Sequence, residues 1–200
     1  MISLIDNKIV IASHNQGKVN EIKNILNPFS LKILTSKELN IDEPLEDGKT
    51  FKKNALIKSL FTAKQSGLVS LSDDSGICVN ALDGQPGIHS ARIAGKKKNF
   101  KIAMEKLYKK LKNHTDKSCK FVCALSLCWP DGSNFTVMGE INGNFVWPPR
   151  GDLGFGYDPI FLPNGFNKTF GEMNPSKKHS ISHRQVAFGK LKNKFNFSKV

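Results

Sequence analysis

A short apolar run that stops at two adjacent carboxylates constrains this chain most. Leu68-Val69-Ser70-Leu71 reads as a strand, and Asp73 and Asp74 follow it, with a small hydroxyl and a glycine, Ser75-Gly76, directly after. A strand that ends in paired acids and then turns sharply is a common way to hold a divalent cation. Carboxylate oxygens suit a hard ion such as Mg2+, which keeps several waters and takes its remaining ligands from a phosphate. Asp-Asp-Ser-Gly is also an ordinary turn sequence. The rest of the chain has to decide between the two.

Around that strand the pattern alternates. Residues 8–13 read as a first strand, and the polar loop His14-Asn15-Gln16-Gly17 follows. A helix over residues 18–26 carries Val19, Ile22, Ile25 and Leu26 on one face. Residues 31–34 form a second strand, and 41–50 an acidic loop. A longer helix spans 51–66, with Ala55, Leu56, Leu60 and Ala63 at helical spacing and Gly67 as its C-terminal cap. The third strand covers 68–73. A helix follows over 100–111, then a hairpin of 119–129 and 134–141 around Pro130-Asp131-Gly132. Residues 144–146 extend the sheet, 160–162 form a short strand, and a last helix covers 182–193, with Ser182 as its cap. Helices alternating with strands, then a hairpin, predict an α/β or α+β fold with a mixed sheet. At 200 residues the chain fits one domain, residues 1–200, of one or two lobes.

Composition excludes some classes of function. No apolar run approaches the roughly 18 residues of a membrane span. The opening segment lacks a basic region and a cleavage site, so it reads as a strand and not a signal peptide. Cys78, Cys119, Cys123 and Cys128 show no zinc spacing; they read as reduced, buried thiols of a cytoplasmic protein. The formal net charge of +13 points to an anionic partner, polyphosphate or nucleic acid. The charge is spread along the chain, with one dense run at Lys96-Lys97-Lys98, and it is nearly all lysine. Arg92, Arg150 and Arg184 are the only arginines. An arginine kept against a lysine background suggests a planar, bidentate contact that lysine cannot make.

Four further motifs carry chemistry. Ser13-His14-Asn15-Gln16-Gly17-Lys18 joins a strand to a helix start, where backbone N–H groups and the helix dipole attract phosphate. It is not a Walker A loop. Glu46-Asp47-Gly48 leads into Phe51, Asn54, Ala55 and Lys58; Asn54 and Lys58 share a helix face, where an amide and an amine can meet an anion. Gly151 to Pro159 interleaves glycines with Phe155 and Tyr157, giving close backbone approach and flat rings for a nucleobase. Lys178-His179-Ser180-Ile181-Ser182-His183-Arg184 precedes the last helix.

In this order, the Asp-Asp-Ser-Gly turn, Pro-Gly-Ile-His-Ser-Ala-Arg, Gly-Phe-Gly-Tyr-Asp-Pro-Ile-Phe and Ser-His-Arg resemble the inosine triphosphate pyrophosphatase family, the noncanonical purine NTP pyrophosphatases. The resemblance runs from about Ile9 to Leu191. It implies an α/β fold with an elongated mixed sheet, flanking helices and two lobes around a central nucleotide cleft. It also implies a homodimer, Mg2+ dependence, and hydrolysis of ITP, dITP or XTP to the monophosphate and pyrophosphate. Carried over residue by residue, Asp74 matches the general base and a metal ligand. Glu46 matches the other metal carboxylate, although Glu43 lies in the same loop. Ser13, His14, Asn15, Gln16, Gly17, Lys18 and Lys58 would hold the phosphates. Ser75, Phe155, Gly156, Tyr157, Asp158, Lys178, His183 and Arg184 would line the rest of the nucleotide site. Lys53, Pro175-Ser176-Lys177, Gln185 and His14 depart from the family pattern; none removes a catalytic group, and the added lysines make the rim more basic.

The chemistry agrees with the resemblance. Mg2+, Lys18, Lys58 and Lys178 would neutralise a triphosphate, and Asp74 could take a proton from water. Hypoxanthine and xanthine present a carbonyl acceptor at position 6, where adenine presents a donor. Arg184, which has only donors, would suit the former, so Arg184→Lys should lower selectivity. Two other readings are weighed. The related septum-inhibition-type pyrophosphatases act on pyrimidine or modified nucleotides. A basic nucleic-acid-binding module would bind without turnover, and the low arginine content counts against it. The expected partner is thus a purine nucleoside triphosphate, with no stable nucleic-acid complex and no membrane.

Overall fold

The structure, a computed structural model, describes residues 7–95 and 98–194. The start of the N-terminal segment and Lys96 and Lys97 of the lysine run lie outside them. The elements run in the order β1 (Lys8–Ala12), α1 (Gln16–Leu26), β2 (Lys32–Thr35), α2 (Phe51–Ser66), β3 (Ser70–Val79), α3 (Ser90–Ile93), α4 (Phe100–Leu111), β4 (Ser118–Cys128), β5 (Asn134–Phe145), β6 (Phe161–Pro163), α5 (Pro175–Ile181) and α6 (His183–Lys194). The sheet order is β2-β1-β3-β4-β5-β6. β1 pairs in parallel with β2 and β3, with α1 and α2 as the helical crossovers that parallel strands require. β5 and β6 are antiparallel, so the sheet is mixed. The fold is α/β with flanking helices, as the sequence predicts.

Helix ends follow local chemistry. Asn15 Oδ1 accepts from Lys18 N–H, and α1 starts at Gln16, two residues earlier than the apolar periodicity suggests. Thr50 Oγ1 caps α2 by accepting from Lys53 N–H, and Gly67, at φ +65°, closes it in the left-handed conformation.

The chain divides into two compact units. The first comprises Met1–Asp74, Cys123–Gly139 and Arg184–Val200; the second comprises Ser75–Val122 and Glu140–His183. β3, β4 and β5 run through both. In the first unit Ile9, Ile11 and Leu71 pack with Val19, Ile22 and Leu26 of α1 and with Ala187, Phe188 and Leu191 of α6. In the second, Ile77 and Val79 pack with Ala103, Met104, Leu107 and Leu111 of α4 and with Phe121, Phe161 and Phe170.

One expectation is overturned. Asp73-Asp74-Ser75-Gly76 is not a turn: β3 continues through it to Val79. The glycine serves close packing. A Cβ on Gly76 would collide with Gly87 O and Ser90 Oγ. Ser90 Oγ in turn accepts from Ile77 N–H at 3.0 Å, which holds the continued strand against α3. Likewise β5 absorbs residues 144–145, and α5 is an element the sequence reading did not contain.

Candidate functional site

Because β3 is unbroken at the acid pair, its residues alternate between faces. In the first unit Val69, Leu71 and Asp73 face α1 and α6, while Ser72 and Asp74 face α2: Ser72 Oγ donates to Ala55 O of α2 at 2.5 Å. The two acids therefore meet different surroundings.

Asp73 is fully buried and fully engaged. Its Oδ1 lies 2.7 Å from Lys18 Nζ. Its Oδ2 accepts from Arg184 Nε at 2.8 Å and from the Cys123 thiol at 2.9 Å. Arg184, 1 % exposed, also donates through NH1 to Glu21 Oε2 of α1. Two carboxylates and two cations thus form a buried, formally neutral cluster. Burial alone would raise the Asp73 pKa, but the charges of Arg184 and Lys18 outweigh it and hold the carboxyl well below its ordinary range. Burial works against the charged form of Lys18 as well, and Asp73 and Asp74 reverse the effect, leaving its pKa raised. The Cys123 thiol is pushed well above its ordinary pKa by burial and by Asp73, so it is a donor and not a nucleophile.

Asp74 is buried, yet its Oδ2 has no hydrogen-bond partner among the described residues. Lys58 Nζ of α2 lies 3.7 Å from Asp74 Oδ1 and donates to Glu46 Oε1 at 2.9 Å. One ammonium therefore gathers the two carboxylates, and Glu46 is the loop acid that reaches this point; Glu43 is exposed. Burial raises the Asp74 pKa, opposed by Lys58 and Lys18 and assisted by Glu46 and Asp73. Asn54, one turn before Lys58, is fully buried, with neither amide atom partnered among the described residues. A Cβ on Gly48 would lie 2.5 Å from Asn54 Oδ1, so the loop bearing Glu46 needs glycine there.

The phosphate-loop residues sit at the N-terminus of α1. Ser13 is buried and its Oγ accepts from Asn15 N–H at 3.2 Å; His14 and Gln16 are exposed, while Asn15, Gly17 and Lys18 are half-buried.

The second unit holds the other motif residues. Lys178 is buried and its Nζ bonds Asp158 Oδ2 at 2.5 Å, over the Phe155 ring at 4.8 Å. Asp158 Oδ2 also accepts from Phe155 N–H at 2.7 Å. Gly154, at φ +78°, could not carry a side chain, since its Cβ would strike that carboxylate. Phe155, Gly156 and Ser75 are half-exposed. Tyr157 is not offered for stacking: its ring is buried edge-on against Phe100 at 5.4 Å, and its hydroxyl donates to Ser90 O at 2.9 Å. His183 is buried and stacked on Phe121, ring centroids 5.0 Å apart. Ser182 lies in extended backbone between α5 and α6, and its hydroxyl reaches His179 O at 3.3 Å.

Sequence reasoning placed Asp74, Glu46 and Lys58 together, and Phe155, Asp158 and Lys178 together. It put the Arg184 fork on the base, whereas the structure sets two of its nitrogens on Asp73 and Glu21. It missed Glu21 and Cys123. Glu21 carried one signal, a carboxylate beside Ile22 on a helix whose other buried positions are Val19 and Leu26. Cys123 carried none, because a cysteine in an apolar run reads as a small hydrophobe. All four cysteines are buried and free.

Comparison with known proteins adds an independent line. The sequence model described as the Ham1 family matches residues 9–194. A dITP/XTP pyrophosphatase of Zymomonas mobilis is 50% identical over 187 residues, covering 92% of this chain and 90% of its own. The dITP/XTP pyrophosphatase of Gluconobacter oxydans is 48% identical, over 88% and 85% of the two chains. Among solved structures, the Staphylococcus aureus Ham1 protein superposes with a TM-score of 0.83 at 40% identity, covering 93% of this chain and 96% of that one.

Proposed function

This chain belongs to the Ham1 family, and on that premise we propose that it hydrolyses noncanonical purine nucleoside triphosphates, dITP, XTP and ITP, to the monophosphate and pyrophosphate. The observation that carries the chemical part is Asp74 Oδ2, a buried carboxylate oxygen with no partner among the described residues, beside the Glu46–Lys58 pair. A buried acceptor left open costs stability unless something in the working complex fills it.

The residues fit a divalent cation. Mg2+ is held by one or two carboxylates together with substrate phosphates and water, and Asp74 and Glu46 are two such groups, gathered by one ammonium. When bound, the ion would neutralise phosphate oxygens and make a water easier to deprotonate. Asp74, whose pKa burial raises above the ordinary carboxylate value, accepts the proton of the water that attacks the α-phosphorus. The oxygen bridge between the α- and β-phosphorus breaks, and pyrophosphate leaves. Ser13, Asn15, Gly17 and Lys18 at the start of α1, with Lys58, position the phosphates. Phosphoryl chemistry is mostly positioning and charge stabilisation, which is what these groups offer.

Phe155 is the stacking face, steadied by Lys178. A donor there, the Lys178 ammonium or the backbone N–H of His183, suits a 6-carbonyl and leaves the adenine amino group unmatched. Arg184 acts through Asp73. The chain works as a homodimer in the cytoplasm; no helix among the described residues is long and apolar enough to cross a membrane.

The test is a panel of ITP, dITP, XTP, ATP and CTP, assayed with and without Mg2+. The purine 6-oxo nucleotides should release pyrophosphate only with the metal, and ATP and CTP should be poor. Equal turnover of ATP and ITP would overturn the specificity. Orthophosphate in place of pyrophosphate would overturn the reaction.

A further inference from the structure

The second unit has a cavity of about 440 Å3 that includes none of the residues assigned above to the nucleotide. Leu82, Pro86, Ile93 and Leu107 give it apolar walls. Arg92, Lys106, Lys109 and Lys110 line it with cations, and among the described residues no acidic side chain does so. The volume lies within the range of small-molecule sites, which combine apolar walls with a few polar groups.

Its walls are fixed before any ligand arrives. Val79 N–H donates to Gln85 O, Gln85 N–H donates to Leu82 O, and Cys78 bridges Pro86, so the loop bearing Leu82 and Pro86 is pinned to the end of β3. Ser90 at the head of α3 is held by Gly87 O, Ile77 and the Tyr157 hydroxyl. Leu107 is core. A preformed site avoids the ordering entropy that weakens binding to a mobile surface. The cations are set against one another, because Lys106 lies three and four residues before Lys109 and Lys110 on α4, spacings at which like charges repel. Arg92, at the cavity wall, has its NH1 3.3 Å from His89 Nδ1, which orients the guanidinium.

We propose that this cavity is a second ligand site, taking a small amphiphilic anion: an apolar or aromatic body against Leu82, Ile93 and Leu107, carrying a phosphate, sulfonate or carboxylate met by Arg92, Lys106 and Lys110. Arginine gives the head group a planar fork and the lysines give it charge.

The probe is 1-anilinonaphthalene-8-sulfonate, an aromatic body with one anionic group, titrated into the 15N-labelled full chain and followed by amide shifts. Saturable shifts should appear at Leu82, Ile93, Lys106 and Lys110. The exposed double variant Lys106→Gln/Lys110→Gln should weaken binding roughly tenfold, the size of two partly screened charge contacts, with ITP hydrolysis unchanged. Inorganic phosphate alone should bind the same amides at least roughly tenfold more weakly. Shifts that never saturate or that appear only elsewhere, or an unchanged dissociation constant in the double variant, would overturn the site. Phosphate binding as tightly as the aromatic anion would overturn the assigned ligand class.

Discussion

Asp73 and Asp74 are consecutive in one strand and carry the same group, yet their surroundings are opposite. Asp73 holds Lys18, Arg184 and the Cys123 thiol, and its pKa is driven well down. Asp74 is nearly as buried, has one oxygen with no partner among the described residues, and its pKa is driven up. Strand alternation makes the difference: Asp73 faces α1 and α6, which bring the Lys18, Glu21 and Arg184 charges, while Asp74 faces α2, which brings Lys58 alone and at 3.7 Å. A saturated carboxylate is a structural anchor. An unsaturated one stores a cost that a substrate complex can relieve. The pair shows how one strand supplies both rigidity and reactivity within two residues.

The contrast breaks most visibly at the anchor. Asp73→Asn leaves the buried Arg184 and the half-buried Lys18 poorly compensated and should cost about 3–5 kcal/mol at neutral pH. The thermal midpoint should fall by roughly 10 °C. The sign in pH follows from the depressed pKa: the stabilisation is present above the ordinary carboxylate range, near pH 4, and is lost as pH falls through the folded value. Denaturant midpoints measured from pH 7 down to pH 2 should therefore drop steeply at the acid end in the wild type and less in Asp73→Asn. Parallel curves would show that Asp73 is not the anchor.

Arg184→Lys sharpens the comparison at the next level. Lysine keeps the charge but cannot reach Asp73 and Glu21 together, so one charge-assisted hydrogen bond is lost, worth about 1.5–3 kcal/mol. Because Nε and NH1 of the fork donate to Asp73 and Glu21, the ratio of ITP to ATP turnover should stay constant while stability falls. A fall in that ratio, the outcome expected from sequence alone, would put Arg184 back on the base. The smallest effect belongs to Cys123→Ala. It removes a weak donor from Asp73 and a small buried side chain, about 1 kcal/mol in all by chemical denaturation, with kcat for ITP within roughly threefold of wild type. A larger kcat loss would make the thiol part of the chemistry.

Much of the fold was legible because its signals are local. α2 has apolar residues at helical spacing and Gly67 as its cap, and the limits of α2 and α4 were read correctly. The course of β3 was not legible. Ser75-Gly76 after two acids is a turn signal, and only the tertiary approach of Gly87 and Ser90 makes it strand. α5 begins at Pro175 and lacks an apolar stripe, so nothing announced it. At the candidate site, motif order brought out Asp74, Glu46 and Lys58. The division of labour between Asp73 and Asp74 could not be read without the strand, because a turn does not fix which side chain faces which helix. Tyr157 was misread for a related reason: an aromatic between glycines looks available, but burial against Phe100 decides otherwise.

The most direct measurement is kcat for ITP together with the thermal midpoint of Asp74→Asn. A folded pKa raised above its unfolded value helps stability only below the ordinary carboxylate pKa and costs stability at neutral pH. Removing that charge should therefore leave the midpoint at pH 7 at or above wild type, while kcat falls at least roughly a hundredfold through loss of the proton acceptor. An Asp74→Asn enzyme with near-normal kcat, or one that loses activity only because its midpoint collapses as in Asp73→Asn, would contradict the division of roles between the two acids.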